Sequence, residues 1–261
     1  MKILCALCGK KNKQMKNFLD EQVQLINTPA FIAYDPVQFP HRYKRLQDLE
    51  IVSFTVATIA WGRREMILRD AERMLSVMGE SPYNYVMNED YKNLGNKNVH
   101  RTFFEDDLAY LLRGFHKIYT ENKSIECLLE KHNIHDAWQI AAVLQNELQA
   151  ANNGKTNSRN CISLHFEKSA LKRLNMALRW LVRNDGIVDL GVWKVLKPSE
   201  LYIPLDVHVG NTARKFGILT RKSNDRKAVE ELTAVLRDFC LEDPVKYDFA
   251  LFGIGINEKD I

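Results

Sequence analysis

The sequence predicts an all-α fold, and three observations carry that expectation. Apolar residues recur at spacings of three, four and seven through most of the chain, strict alternation is scarce, and the periodic stretches are separated by connectors of ordinary length. At 261 residues, with 46% hydrophobic, 27% charged, 12 Gly and 7 Pro, the chain is long enough to bury a core. That composition excludes collagen-like, disordered and disulfide-scaffold classes. At least nine short helices are expected, in one domain that spans residues 1–261.

The chain begins with a basic start, a short apolar stretch from Ile3 to Cys8, and then Gly9-Lys10-Lys11. That stretch is shorter than a secretory core, so residues 1–14 read as a flexible leader and the chain as cytoplasmic. Cys5 and Cys8 form a C-x-x-C pair, but the other cysteines stand apart and supply no further zinc ligands.

From Leu49 to Leu75, Ile51, Phe54, Thr55, Thr58, Ile59, Met66, Ile67 and Met74 fall on helical spacing, interrupted by Trp61-Gly62. Two helices with a turn at Gly62 follow, the second opened by Arg63 and Arg64. Asp106 to Tyr119 places Leu108, Leu111, Leu112, Phe115 and Ile118 on one face. Helices are also expected over 124–132 and 136–151, then a polar loop over 152–160. Lys168 to Arg183 reads as the next helix, with Leu171, Leu174, Leu178 and Leu181 apolar and Lys172, Arg173, Arg179 and Arg183 basic. Asp185 to Pro204 is an irregular connector. Val207 to Phe216, stopped by Gly217, and Asp225 to Leu241 complete the helices, followed by an apolar segment from Tyr247 to Gly253.

No apolar run approaches the roughly 18 residues that span a bilayer. Net charge is +4, which permits a polyanionic partner without requiring one. There is no Gly-rich phosphate loop and no serine nucleophile elbow. His132 and His135 lack further ligands, so no metal and no cofactor are expected.

Two positions carry candidate chemistry. Asp206 directly precedes a helix and follows Pro204, the position of an N-cap, and a cap alone accounts for an isolated Asp there. Lys172 lies beside the apolar stripe, between Leu171 and Leu174, with Lys168, Arg173 and Arg179 near it. Partial burial among cations is a setting in which a lysine amine acts as a nucleophile, whereas the plainer reading is a solvated cation.

Taken together, Lys172-Arg173-Leu174-Asn175 and Leu205-Asp206-Val207-His208-Val209, with Arg214 and Gly217 beyond, resemble the catalytic half of the helix-hairpin-helix DNA glycosylases. Ala57 to Arg64 resembles that superfamily's early helix pair. The segment His165 to Leu171 stands in the place of its hairpin and carries no Gly-x-Gly. More closely, the chain is similar to a bacterial family catalogued as a domain of unknown function, through Leu171 to Arg183, Pro204-Leu205-Asp206-Val207-His208-Val209 and Asp243 to Gly253.

The glycosylase resemblance implies a two-lobed helical fold, with one lobe over about 46–203, the other over about 15–45 plus 204–261, and a cleft between them. It implies a DNA glycosylase with AP lyase activity, acting as a monomer on a damaged base, oxidised bases among the candidates, in duplex DNA. Lys172 would attack the deoxyribose C1′ of a flipped nucleotide and Asp206 would assist, with Asn175 and His208 as orienting residues. Arg63, Arg64, Lys168, Arg173 and Arg214 would meet phosphate, and Trp61 would stack or wedge, although a packed Trp at a helix end is the plainer assignment. Tyr247, Phe249, Phe252 and Trp180 are candidates for the base pocket. The alternatives are a non-catalytic nucleic-acid-binding protein of the same ancestry and an all-α interaction module.

Overall fold

The computed structural model describes residues 2–157, 161–163 and 165–257. The fold is all-α. In chain order the helices are α1 (Lys2–Ile26), α2 (Pro29–Ile32), α3 (Leu46–Ile59), α4 (Arg64–Met78), α5 (Pro82–Met87) and α6 (Glu105–Glu121). They continue as α7 (Ile125–Lys131), α8 (Ala137–Ala151), α9 (Lys172–Val182), α10 (Val207–Lys215), α11 (Arg226–Phe239) and α12 (Tyr247–Asn257). Among the described residues the strand content is one antiparallel hairpin, β1 (Asn98–His100) and β2 (Phe103–Phe104).

Helix α3 is the centre of the molecule, buried from Asp48 to Ile59, and it packs along α9. A helix enclosed on all sides must satisfy its polar side chains internally. Glu50 does so by accepting hydrogen bonds from Ile125 N (2.9 Å), Glu126 N (3.1 Å), Tyr119 Oη (3.0 Å) and Trp193 Nε1 (2.9 Å). One carboxyl thereby ties α3 to α6, to the first turn of α7 and to the 185–204 connector. Burial pushes its pKa up to about 7, against the four donors that lower it.

The helices form two packing groups. Helices α6 and α8 pack on each other beside the α3–α9 pair, while α1, α10 and α12 pack together through the glycines of α12. A Cβ on Gly253 would overlap Ile26 Cδ1, so its lack of a side chain sets the close approach of α1. A single apolar core runs through both groups, with Trp180, Trp193, Tyr247, Phe39 and Phe249 fully enclosed.

Four elements differ from the sequence expectation. The segment expected as a leader is the backbone of α1 from Lys2 onward; the stripe of Leu19 and Val23, four residues apart and buried, anchors that helix on α12. The side chains of Cys5 and Cys8 lie outside the described residues. Helix α9 starts at Lys172 rather than Lys168, because Leu171 turns the chain at φ 48°. The preceding turn is tied elsewhere, through an isolated bridge between Ser169 and Asp225 and a bond from Arg226 N to Lys168 O (3.0 Å). The apolar segment after Pro244 is a full helix, α12, and the 98–104 hairpin is an addition that no alternating pattern announced.

Candidate functional site

Where α3 ends, its last carbonyls have no helical partners, and three side chains from elsewhere supply them. Arg173 Nη1 donates to Thr58 O at 2.6 Å, His100 Nε2 lies 2.8 Å from Trp61 O, and Lys172 Nζ is 3.5 Å from Ala60 O. Cations at a helix C-terminus are also favoured by its dipole. Gly62 follows at φ +97°, and a Cβ there would come within 2.8 Å of Arg101 Nη1, so the turn demands glycine.

Trp61 is half-buried. The His100 ring meets its indole edge-on at 4.8 Å, and the Arg173 guanidinium covers its ring at 5.1 Å. The residue expected as a wedge is therefore packed into the turn, the plainer of its two assignments. Arg63 is exposed, and Arg64 is half-buried with its guanidinium 5.4 Å from the centre of the Phe252 ring.

Lys172 opens α9 and is half-buried, with the Met176 sulfur 3.6 Å from its amine. Asn175, one turn on, is buried, and its Nδ2 donates to Ala170 O at 3.0 Å. Its role is thus to hold the turn that sets where α9 begins. Its Oδ1 is buried and unpartnered.

Asp206 caps α10: its carboxylate accepts from Val209 N at 3.0 Å and its carbonyl accepts from Asn224 Nδ2, also at 3.0 Å. Arg214 in turn donates to Arg221 O (2.8 Å) and Asn224 Oδ1 (2.6 Å). That arrangement makes Arg214 a support for the loop that holds Asp206. His208 Nδ1 lies 3.4 Å from Gly255 O, and its ring is 6.2 Å from Phe252. Lys168 is exposed.

What joins these positions is electrostatic. Asp248, on α12, is buried and paired with Arg179, and burial pushes its pKa up to about 7. The Arg179 and Lys172 cations oppose that rise, whereas the Asp206 and Asp189 carboxylates reinforce it. Asp35 is likewise raised by burial, against its own bond to Val37 N and the cations of Arg179, Arg64 and Lys172. Arg64, Lys172 and Arg179 thus act on Asp35, and Arg179, Lys172 and Asp206 act on Asp248. Lys172 and Asp206, 34 positions apart in the chain (206 − 172), act on one buried carboxyl.

Sequence reasoning missed Asp35 and Asp248 as members of this cluster and His100 at the neighbouring turn, and it named Arg179 only as a cation near Lys172. Asp248 had a signal, since it lies inside the Asp243 to Gly253 stretch, but its neighbours Tyr247 and Phe249 drew attention as aromatics. Both are buried, as is Trp180; Phe252 alone of the four pocket candidates is partly exposed, against His208 and Arg64. Among the described residues no group of three or more His, Cys, Asp or Glu is placed to hold a metal ion.

A profile of one family, described as "Protein of unknown function (DUF2400)", matches residues 35–257. The chain belongs to this family. In this DUF2400 member the matched region opens at Asp35 and takes in Lys172, Asp206 and Asp248, so the whole charged cluster is family territory while all of α1 and α2 precede it. No curated protein and no solved structure matches the chain. Among its described residues no helix is long and apolar enough to cross a membrane.

Proposed function

We propose that the protein is a DNA glycosylase with AP lyase activity, and that Lys172 is its nucleophile. The observation that carries this reading is that Lys172, at the start of α9, and Asp206, at the start of α10, both act electrostatically on the buried Asp248 carboxyl, in opposite senses. A buried carboxyl perturbed by charges from distant segments supports a functional site there.

In this reading a damaged nucleotide leaves the stack and presents C1′ to Lys172. The neutral amine forms an N–C1′ bond while the glycosidic bond breaks, its electron pair leaving with the base, which takes up a proton. Loss of a proton from the amine and opening of the sugar ring give an imine, and removal of a C2′ proton then expels the 3′ phosphate. Asp206 stabilises positive charge on the sugar as the base departs, an interaction stronger in the transition state than before it. Its cap bond to Val209 N fixes that carboxylate in place. Among the cations expected to meet phosphate, Arg63 and Lys168 are exposed and suited to it; Arg173 and Arg214 donate to carbonyls within the fold.

A second reading is supported by one contact. The Lys172 amine faces Ala60 O, so it also serves as a cap for α3, and a non-catalytic DNA-binding protein would need no more of it than that. Single-turnover incision of duplexes bearing a panel of oxidised, alkylated and abasic lesions separates the two. The glycosylase reading expects strand cleavage of at least one lesion, lost in Lys172→Ala. The binding reading expects no cleavage, and an affinity that falls steeply with salt but is nearly indifferent to Lys172→Gln.

A further inference from the structure

The α3–α4 turn carries Arg63 and Arg64 and presents Ala60 O to Lys172, and its hold on Trp61 is chemically unusual. His100 is wholly buried, and both of its ring nitrogens face acceptors: Nδ1 lies 2.8 Å from Asp70 Oδ2, and Nε2 lies 2.8 Å from Trp61 O. A backbone carbonyl only accepts. Asp70 is an acceptor too, because its other oxygen receives Arg69 Nε at 3.0 Å and lies 3.6 Å from Arg73 Nη2. Although burial acts to raise it, its pKa is lowered by the His100, Arg69 and Arg73 partners. A neutral imidazole has one N–H and would leave one buried acceptor facing a lone pair, which is costly.

We infer that His100 is a doubly protonated imidazolium, paired with Asp70, and that it is a positioning residue for Lys172. The pair spans three elements, from α4 through β1 to the turn after α3. Its charge sits edge-on to the Trp61 indole, whose ring also carries Arg173, while Arg101 stands over Gly62. Asp70, Arg69 and Arg73 from α4, Arg101 from the hairpin and Arg173 from α9 are the charged groups around it. Without the second proton Trp61 O and Asp70 compete for a single N–H, and the carbonyls that locate the Lys172 amine lose a fixed brace.

The role in positioning Lys172 rests on the glycosylase reading, whereas the protonation state does not, and two measurements keep them apart. Long-range 1H–15N NMR of the histidine-labelled protein at neutral pH is expected to show both His100 nitrogens protonated. A single-tautomer signal overturns the inference outright. Asp70→Asn keeps an acceptor for Nδ1–H but removes the charge that holds the second proton, so the His100 signal should convert to one N–H. With a preformed abasic duplex, His100→Phe, which keeps an aromatic edge against Trp61 but leaves Trp61 O without its donor, should form the borohydride-trapped adduct roughly tenfold more slowly, a misplacement effect, with binding of the duplex unchanged. Unchanged trapping by His100→Phe refutes the positioning role. If the wild-type protein traps no DNA at all, the enzyme reading has failed, and the NMR result still decides His100.

Discussion

At Asp206 the carboxylate that caps α10 also reinforces the rise that burial imposes on Asp248, so its cap and the catalytic role proposed for it are separable by substitution. Asn caps a helix about as well as Asp, whereas Ala loses about 0.5–2 kcal/mol. Asp206→Asn is accordingly expected to keep the urea midpoint of the parent and to lose on the order of a hundredfold in single-turnover rate. Asp206→Ala should lose both. If Asp206→Asn retains full rate, the cap is the whole function of the residue. At Gly62 the φ of +97° is one that side-chain-bearing residues rarely adopt, so Gly62→Ala should cost roughly 1 kcal/mol or more, read as a lowered thermal midpoint, even though the Arg101 side chain can swing aside.

Helix α9 is the element on which most of the account turns. Besides Lys172 it contributes Arg179 and Arg183, both buried and both paired with Asp189; Arg179 also meets Asp248, and Arg183 also meets Asp185 and Asp243. Removing one partner from such a network strands the others, at a cost of about 3–5 kcal/mol. Arg179→Leu is therefore expected to unfold at markedly lower urea, and a near-parental midpoint would mean that water or a neighbour replaces the guanidinium.

The periodicity of α9 was legible because Leu174, Leu178 and Leu181 are spaced for one face, and the same signal located α3, α4, α6, α8, α10 and α11. Its true start was not, because the turn at Leu171 depends on a side chain at Asn175 and on a bridge to Asp225, contacts that no local pattern encodes. The charged residues of α9 read as a basic face for the same reason: their carboxylate partners lie up to 69 positions away. Lys172 and Asp206 were legible through local motif, whereas Asp35 and His100 were not, since each is an ordinary residue until the fold surrounds it.

Across the whole molecule, buried and ion-paired carboxyls set how stability varies with pH. Asp248 and Glu50 have folded pKa values near 7, above the roughly 4 of an unfolded carboxyl. Between those values the folded state binds more protons than the unfolded one, so the contribution of these two groups is fully favourable below about pH 4 and is lost as pH rises to about 7. Asp225, held down to about 2 by Arg221, and the lowered Asp70 and Asp185 act in the opposite sense, adding stability as pH rises from about 2 to 4. Thermal midpoints should thus climb from acid to about pH 4–5 and fall toward neutrality, and Asp248→Asn should flatten the descending limb. A midpoint that rises steadily to pH 8 would contradict raised carboxyls at both sites.

The central claim is that Lys172 attacks a sugar carbon, and covalent trapping reads that event directly. The protein is incubated with an abasic duplex and with the lesion panel in the presence of borohydride, and the adduct is digested and mapped by mass spectrometry. A reduced, covalent DNA adduct is expected on the peptide that contains Lys172, absent from Lys172→Ala. No adduct with any substrate, or an adduct mapped to another residue and undiminished in Lys172→Ala, would contradict it.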